Sequence, residues 1–69
     1  MNAMLTARET DVVRLLAQGC TYGRVAQLLG ISEHTVCSHI KNVYRKLDVH
    51  TAAAAVFRAM RMQGEAASI

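Results

Sequence analysis

The sequence predicts a small all-α domain built from four helices, and three observations support this fold class. Apolar residues recur at three- and four-residue spacing along most of the 69 residues, and no strand-like alternation interrupts them. The chain contains no proline, and a Thr or Ser precedes each periodic segment where it can cap a helix. A chain of this length forms one small core, which excludes a deep enzymatic cleft.

Helix one is predicted over about residues 7 to 18. Thr6 and Glu9 have the spacing of a capping box, in which each side chain binds the other residue's main-chain amide. Gly19 fits the left-handed position that commonly follows a helix. The apolar face of this helix consists of Val12, Val13, Leu15 and Leu16.

A short second helix is predicted to begin after Thr21 and to end at Gly30. Gly23 lowers its intrinsic propensity by about 1 kcal/mol relative to Ala, so tertiary packing must hold it in place. Gly30 allows a tight turn, Ile31 can enter the core and Ser32 can cap the next helix. This arrangement is a helix-turn-helix signature. The predicted apolar face consists of Val25, Leu28 and Leu29.

Helix three is predicted over about residues 33 to 47, with two contrasting faces. On a helical wheel with about 100° per residue, the apolar stripe consists of Val36, Ile40, Val43 and Leu47. The opposite side consists of His34, Ser38, Lys41 and Arg45, with Cys37 and Asn42 on its flanks. Because none of these outward residues is acidic, the helix is suited to lie in a DNA groove when a second helix braces it.

Helix four is predicted over about residues 52 to 63, from a cap at Thr51 to a stop at Gly64. Its core face is predicted to consist of Ala53, Val56, Phe57 and Met60, opposite Ala54, Arg58 and Arg61. We therefore expect one domain over residues 5–64, with frayed termini at 1–4 and 65–69.

Composition and charge limit the possible functions. Hydrophobic residues make up 52% of the chain, so a folded domain is expected, and the net charge of +3 permits a polyanionic partner. No apolar run is long enough to span a membrane, and the N-terminus does not resemble a secretory signal. We expect a cytoplasmic protein in which Cys20 and Cys37 are free thiols.

Neither catalysis nor metal binding is predicted. The sequence has no evident nucleophile and base pair and no glycine-rich phosphate loop, so no catalytic residue and no cofactor are expected. His34 and Cys37 share a helix face, but His39 projects about 140° away from His34 and no fourth ligand completes a site. His39 is expected to have a structural role instead, and Tyr44 is expected to pack its ring with its hydroxyl at the surface.

A family resemblance emerges when these elements are read together. The residues that carry it are Leu5, Thr6, Arg8, Glu9, Val13, Leu15, Leu16, Ala17 and Gly19, then Val25, Ala26, Leu29, Gly30, Ile31 and Ser32, then Thr35, Val36, His39, Ile40, Tyr44, Arg45, Lys46 and Leu47. This gap-free pattern over about residues 5 to 60 closely resembles the LuxR/GerE-type DNA-binding domain of bacterial transcription regulators. The resemblance implies that helix three reads the major groove and that helix four commonly forms a dimer.

Departures from the family pattern shape the predicted base contacts, which are Lys41, Ser38 and Cys37. Cys37 stands where the family very often has Lys or Arg, so a frequent donor is missing. Ser38 either contacts a base, with weak discrimination, or forms passive surface. Lys41 occupies a position that often contacts bases in the family, and it becomes the leading base reader.

The predicted phosphate contacts are Thr35, His34, Arg45 and Lys46. Thr35 either donates to a phosphate or satisfies a local backbone group, and the family match favours the phosphate. His34 either touches phosphate or is an exposed neutral histidine. Arg45 and Lys46 complement the helix dipole whatever the function, and phosphate binding is compatible with that role. Cys37 could in addition serve as a redox switch, although a small tolerated side chain explains it more simply.

The sequence therefore predicts sequence-specific binding of double-stranded DNA by a homodimer on two half-sites, within the bacterial nucleoid when bound. The predicted dimer contacts are Ala54, Ala55, Arg58 and Met62, and RNA polymerase is a further expected partner. Pairing is expected on DNA, with a monomer in dilute solution. The family usually carries a sensory or phosphoacceptor domain ahead of this one, so the C-terminal part of a longer regulator is preferred over a free-standing protein.

The alternative is a small helical protein-interaction module that pairs through helix four without binding DNA. Two features keep it open, namely the missing basic residue at Cys37 and the run of alanines from 52 to 55. The response of duplex binding to salt distinguishes the two.

Overall fold

Four α-helices form the part of the chain that the structure describes. The computed structural model describes the backbone of residues 4–67 and the burial of residues 4–61. The helices are α1 (Ala7–Ala17), α2 (Tyr22–Leu29), α3 (Glu33–Leu47) and α4 (Ala52–Ala67). This order confirms the predicted all-α, four-helix fold. Within residues 4–67, no helix is long and apolar enough to cross a membrane.

The predicted N-terminal caps are all present. The hydroxyl oxygens of the capping residues accept main-chain N–H groups three residues later at 3.0–3.1 Å. These caps are Thr6 on α1, Thr21 on α2, Ser32 on α3 and Thr51 on α4. At α1 the Thr6 N–H also donates to Glu9 Oε1 at 2.9 Å, which completes the capping box. Local sequence signals therefore place the starts of the helices.

The turn between α2 and α3 depends on Gly30. Its φ of 68° and ψ of 35° lie in the left-handed region, which residues other than glycine rarely adopt. The following Ile31 N–H donates to the Ala26 carbonyl at 3.0 Å, and the Ile31 side chain packs against the core. The chain thus reverses within a few residues and delivers Ser32 to the start of α3.

The core lies where α3 packs against the other three helices. Its buried apolar residues are Val12, Val13, Val25, Ala26, Val36, Ile40, Val43, Leu47, Ala55 and Ala59. The whole predicted apolar stripe of α3 belongs to this set. The inward face of α3 is therefore confirmed, and its opposite face is left to solvent.

The predicted inward face of α2 is partly wrong. Leu28 is 48% exposed, and Ala26 is buried in its place. The centre of the buried side lies among Val25, Ala26 and Leu29, about 110° from the direction of Leu28. Leucine was assigned to the core by its hydrophobicity, whereas the orientation of a helix is set by its neighbours.

The predicted faces of α4 are partly wrong, although Val56 packs against the core and Arg58 and Arg61 are exposed as predicted. Ala55 and Ala59 are buried against α1 and α3, while Phe57 and Met60 are 63% and 54% exposed. Small side chains on the inner side let α4 pack closely on its neighbours, so the larger side chains lie outside.

The end of α4 differs from the prediction as well. The helix passes through Gly64 to Ala67, because one glycine costs about 1 kcal/mol in a helix and does not by itself stop it. Residues 65–67, expected to fray, belong to this helix, and residues 1–3 and 68–69 lie outside the described chain.

Candidate nucleic-acid interface

Four polar residues form an exposed strip along the outward side of α3. This α3 strip consists of His34, Ser38, Lys41 and Arg45, all of them exposed. At 1.5 Å per residue it is about 16 Å long, comparable with the major-groove width of about 12 Å. The strip contains no carboxylate, and its one lysine and one arginine lie towards the C-terminal half. The predicted outward face of α3 is therefore present as a continuous surface.

The start of α3 offers a hydroxyl pair beside this strip. The Thr35 N–H donates to Ser32 Oγ at 3.0 Å, and the two hydroxyl oxygens lie 2.9 Å apart. One O–H of the pair is used between the two residues, so the other can donate elsewhere. The local hydrogen-bond partner of the Thr35 hydroxyl is thus the Ser32 hydroxyl and not the backbone group considered in the sequence analysis.

Cys37 lies half-buried on the flank of the strip that faces α2. Burial raises the pKa of Tyr22 to about 12, with further contributions from the Tyr44 hydroxyl and the Cys37 thiol. These three side chains therefore lie close together between α2 and α3. Cys37 and Cys20 are both free thiols, as expected. The Tyr22 contact was missed because spacing within α3 carries no information about α2.

Lys46 does not point along the α3 strip, in contrast to its predicted phosphate contact. Its Nζ lies 2.7 Å from Glu9 Oε1 on α1, and its side chain is 34% exposed. On the helical wheel Lys46 lies about 80° from Val36, so its stem runs along the edge of the core towards α1. The structure thus gives Lys46 an ion-pair partner within the domain, and its phosphate contact stays a prediction.

Glu9 is the buried partner in this ion pair. Burial alone would raise its pKa, but the hydrogen bond from Lys46 and the Thr6 N–H, together with the positive charge of Lys46, lower it. The carboxylate is therefore ionised in the folded domain at neutral pH. The sequence pattern explained Glu9 fully as a capping-box residue, so nothing pointed to a second partner 37 residues away.

The predicted dimer residues of α4 are distributed over different environments. Ala55 is fully buried in the core, so its predicted role as a surface contact is wrong. Ala54 is half-buried and Arg58 is exposed, whereas the side chain of Met62 lies outside the described residues. The size of alanine suggested close approach of a second copy, but it serves close packing of α4 within the domain.

An apolar groove lies between α4 and the end of α1. The α4 groove is lined by Leu16, Cys20, Ala53, Val56, Phe57 and Met60. The Arg61 guanidinium lies 5.9 Å from the centre of the Phe57 ring, within cation–π range. The outward surface of α4 is thus more apolar than its sequence suggested.

The remaining candidates for ligand binding are dispersed. His39 is half-buried at the edge of the core, as its position on the wheel predicted. Among the residues that the structure describes, no three His, Cys, Asp or Glu side chains form a group that could hold a metal ion. The α3 strip is therefore the surface on which the polar candidates converge.

Similar proteins share this arrangement of helices. Residues 3–59 match the family described as bacterial regulatory proteins, luxR family. The transcriptional activator protein CarR of Pectobacterium carotovorum subsp. carotovorum is 48% identical over 61 residues, which are 88% of this chain and 25% of CarR. The nitrate/nitrite response regulator protein NarP of Escherichia coli (strain K12) is 44% identical over 62 residues, 90% of this chain and 29% of NarP.

A solved structure of the transcription factor GerE superposes with a TM-score of 0.82 at 34% identity, over 86% of this chain and 88% of that one. This chain thus spans about a quarter of the length of CarR and NarP but most of the GerE chain. The family match over residues 3–59 runs through the predicted turn at Gly30 to the middle of α4. The chain belongs to the luxR family of bacterial regulatory proteins, and its helix-turn-helix is a DNA-binding domain of transcription regulation.

Proposed function

We propose that this domain recognises a specific sequence in double-stranded DNA by placing α3 in the major groove. The observation that carries the proposal is the α3 strip, which is exposed and free of carboxylates while the opposite side of the same helix is buried. An exposed helix face of this kind can approach the base edges without a like-charge penalty from the phosphates.

Lys41 is the leading base reader in this proposal, because it lies at the centre of the strip and is exposed. A lysine contact with the O6 and N7 acceptors of guanine discriminates by about 1–3 kcal/mol. Ser38 lies one turn earlier and supplies a weaker contact, since a hydroxyl can pair with any base. Cys37 contacts the groove only at its edge, because its side chain is half-buried beside Tyr22.

Phosphate contacts lie at the two ends of the strip. Arg45 is exposed near the C-terminus of α3, and His34 is exposed near its N-terminus. The hydroxyl pair of Thr35 and Ser32 contributes the one O–H that is not used between the two residues. Lys46 is left out of this set because Glu9 holds its ammonium group. Few charged contacts therefore support the proposed reading by Lys41.

We further propose that two copies bind adjacent half-sites and pair through α4. Phe57 and Met60 lie exposed on α4 and line an apolar groove, which supports pairing through this face. The earlier candidates Ala54 and Arg58 do not line this groove. In this proposal the domain acts in the cytoplasm on the nucleoid, as the output part of a longer regulator such as NarP, and contacts RNA polymerase there.

The experiment that tests the proposal is selection of binding sites from random duplexes, followed by titration of the selected site at several salt concentrations. We expect enriched paired half-sites and an affinity that falls steeply between about 50 and 200 mM salt. Absence of duplex binding at low salt would overturn the proposal. Self-association of the domain in that case would favour the alternative, a helical protein-interaction module.

A further inference from the structure

The two ends of α3 are held in the domain by different kinds of contact. At the N-terminus, the Gly30 turn and the Ser32 cap connect α3 to α2 by contacts that are close in sequence. At the C-terminus, Lys46 Nζ binds Glu9 Oε1 on α1 at 2.7 Å, across 37 residues of sequence. The last turn of α3 is therefore tied to the first turn of α1.

Glu9 is a rigid anchor for this tie. The same Oε1 atom accepts the Thr6 N–H at 2.9 Å, and the Glu9 N–H donates to Thr6 Oγ1 at 3.1 Å. The residue is only 4% exposed, so the surrounding side chains restrict its rotamer. The carboxylate is thus placed by the capping box before Lys46 is considered, and the lysine must adjust to it.

The ion pair of Lys46 with Glu9 can adjust the rotation of α3 about its axis beyond what the core contacts determine. Its largest fully buried neighbours are valines, namely Val12 of α1 and Val25 of α2. Apolar contacts are non-directional, whereas a charge-assisted hydrogen bond has a preferred distance and direction. The ion pair therefore adds a directional restraint on the rotation of α3 to the close packing of the valines.

Small rotations matter at the DNA surface. Side chains extend to about 5–6 Å from the helix axis, so a rotation of 10° moves their ends by about 1 Å. Base contacts depend on hydrogen bonds whose donor–acceptor distances vary by only about 0.5 Å. Lys41 and Arg45 lie within two turns of Lys46, so a rotation of α3 set by the ion pair would move the ends of both side chains.

We propose that Lys46 is a positioning residue whose pairing with Glu9 sets the rotation of α3 and thereby the sequence discrimination by Lys41. This inference rests on the proposed function and deepens it, because it assigns a role in DNA recognition to Glu9 on α1, outside the α3 strip. Lys46 acts through the fold of the domain and does not touch the DNA.

A double-mutant cycle tests the proposal. The variants are Glu9→Gln, Lys46→Met and their combination, each compared on the selected duplex and on a random duplex of equal length. Gln is a natural capping-box residue and Met keeps the lysine stem, so both changes spare the local packing. Circular dichroism confirms the folded fraction, and Glu9→Gln alone carries the test if Lys46→Met does not fold.

We expect each single variant to lower the ratio of selected-site to random-site affinity about tenfold, a change equal to about 1.4 kcal/mol. The double variant should lose no more than the larger single loss, because both substitutions break one interaction. Lys46→Arg, which keeps the charge, should restore most of the ratio. The salt dependence of binding should be the same in all four variants, since no phosphate contact is removed.

Several outcomes would overturn the inference. A phosphate contact by Lys46 predicts that Lys46→Met reduces the salt slope by about 0.9 while Glu9→Gln does not. Additive losses in the double variant would show that the two residues act independently. An unchanged discrimination ratio in both single variants would also contradict a positioning role. If the unmodified domain binds no duplex at all, the proposed function itself fails, which is a distinguishable result.

Discussion

Ala55 and Phe57 lie two residues apart on α4 and occupy opposite environments, one fully buried and the other 63% exposed. Two residues advance about 200° around a helix, so the burial of Ala55 against α1 and α3 turns Phe57 to solvent. The exposed ring is then available to a second copy of the domain.

The first prediction concerns this ring. Phe57→Gln should reduce cooperative binding to a paired site at least tenfold and leave binding to a single half-site unchanged, because only pairing loses apolar contact. Titration of duplexes with one or two half-sites measures the difference. Leu28→Gln is a matched control, since Leu28 is 48% exposed on α2 and does not line the α4 groove. Equal cooperativity in both variants would exclude Phe57 from the dimer contact.

The second prediction separates the base reader from the phosphate contact. Lys41→Ala should weaken the selected site by about 1–3 kcal/mol and random DNA much less, because a base contact carries the discrimination. Arg45→Ala should weaken both duplexes about equally and lower the salt slope by about 0.9. Both residues are exposed, so neither change disturbs the core. Similar profiles for the two variants would remove Lys41 as the reader.

The third prediction is the pH dependence of stability through Glu9. Its pKa is lowered in the folded domain from the ordinary value of 4.5, so below that value the unfolded chain binds more protons. The stabilisation is therefore present above about pH 4.5 and is lost as the pH falls through the lowered pKa.

Urea unfolding at several pH values measures this effect. Glu9→Gln should lower the free energy of unfolding by about 1 kcal/mol at neutral pH, a value between those of exposed and buried ion pairs. The difference from the unmodified domain should shrink as the medium becomes acidic. A difference that stays constant down to pH 3 or so would argue against an ionised Glu9 in the fold.

The fourth prediction compares two glycines. Gly30→Ala should destabilise the domain by about 1 kcal/mol, because its φ of 68° strains any side chain even though no atom lies within 4 Å of the added Cβ. Gly23→Ala should instead stabilise it by about 0.5 kcal/mol, since this helical glycine gains propensity. Its added Cβ meets the Glu33 carboxylate at 3.1 Å, and that exposed side chain can move. Thermal unfolding of the two variants should show shifts of opposite sign.

Much of the architecture was predictable because its signals are local. The capping box of Thr6 and Glu9 and the cap at Ser32 involve atoms three residues apart, and the left-handed turn at Gly30 depends on one residue. The burial of Val36 and the exposure of Lys41 follow from the period of a single helix. Each of these features is encoded in a short stretch of sequence.

The errors arose where two distant segments meet. Leu28 and Phe57 looked like core residues by hydrophobicity, but the small side chains of Ala26 and Ala55 fit the narrow spaces between the helices. The end of α4 is a separate, local case, since one glycine costs only about 1 kcal/mol in a helix and α4 continues through Gly64. Hydrophobicity ranks residues for burial, whereas the available space between helices selects among them.

The α3 strip itself follows from the sequence of one helix, since the direction of every side chain on it is set by the helical period. The direction of the Lys46 side chain does not follow from the helical period alone, because it depends on the Glu9 carboxylate 37 residues earlier in the chain. No pattern within α3 predicts this contact, which forms only when α1 and α3 pack together. Periodicity thus accounts for which residues lie on the exposed side of α3, and helix packing accounts for where the Lys46 side chain is held.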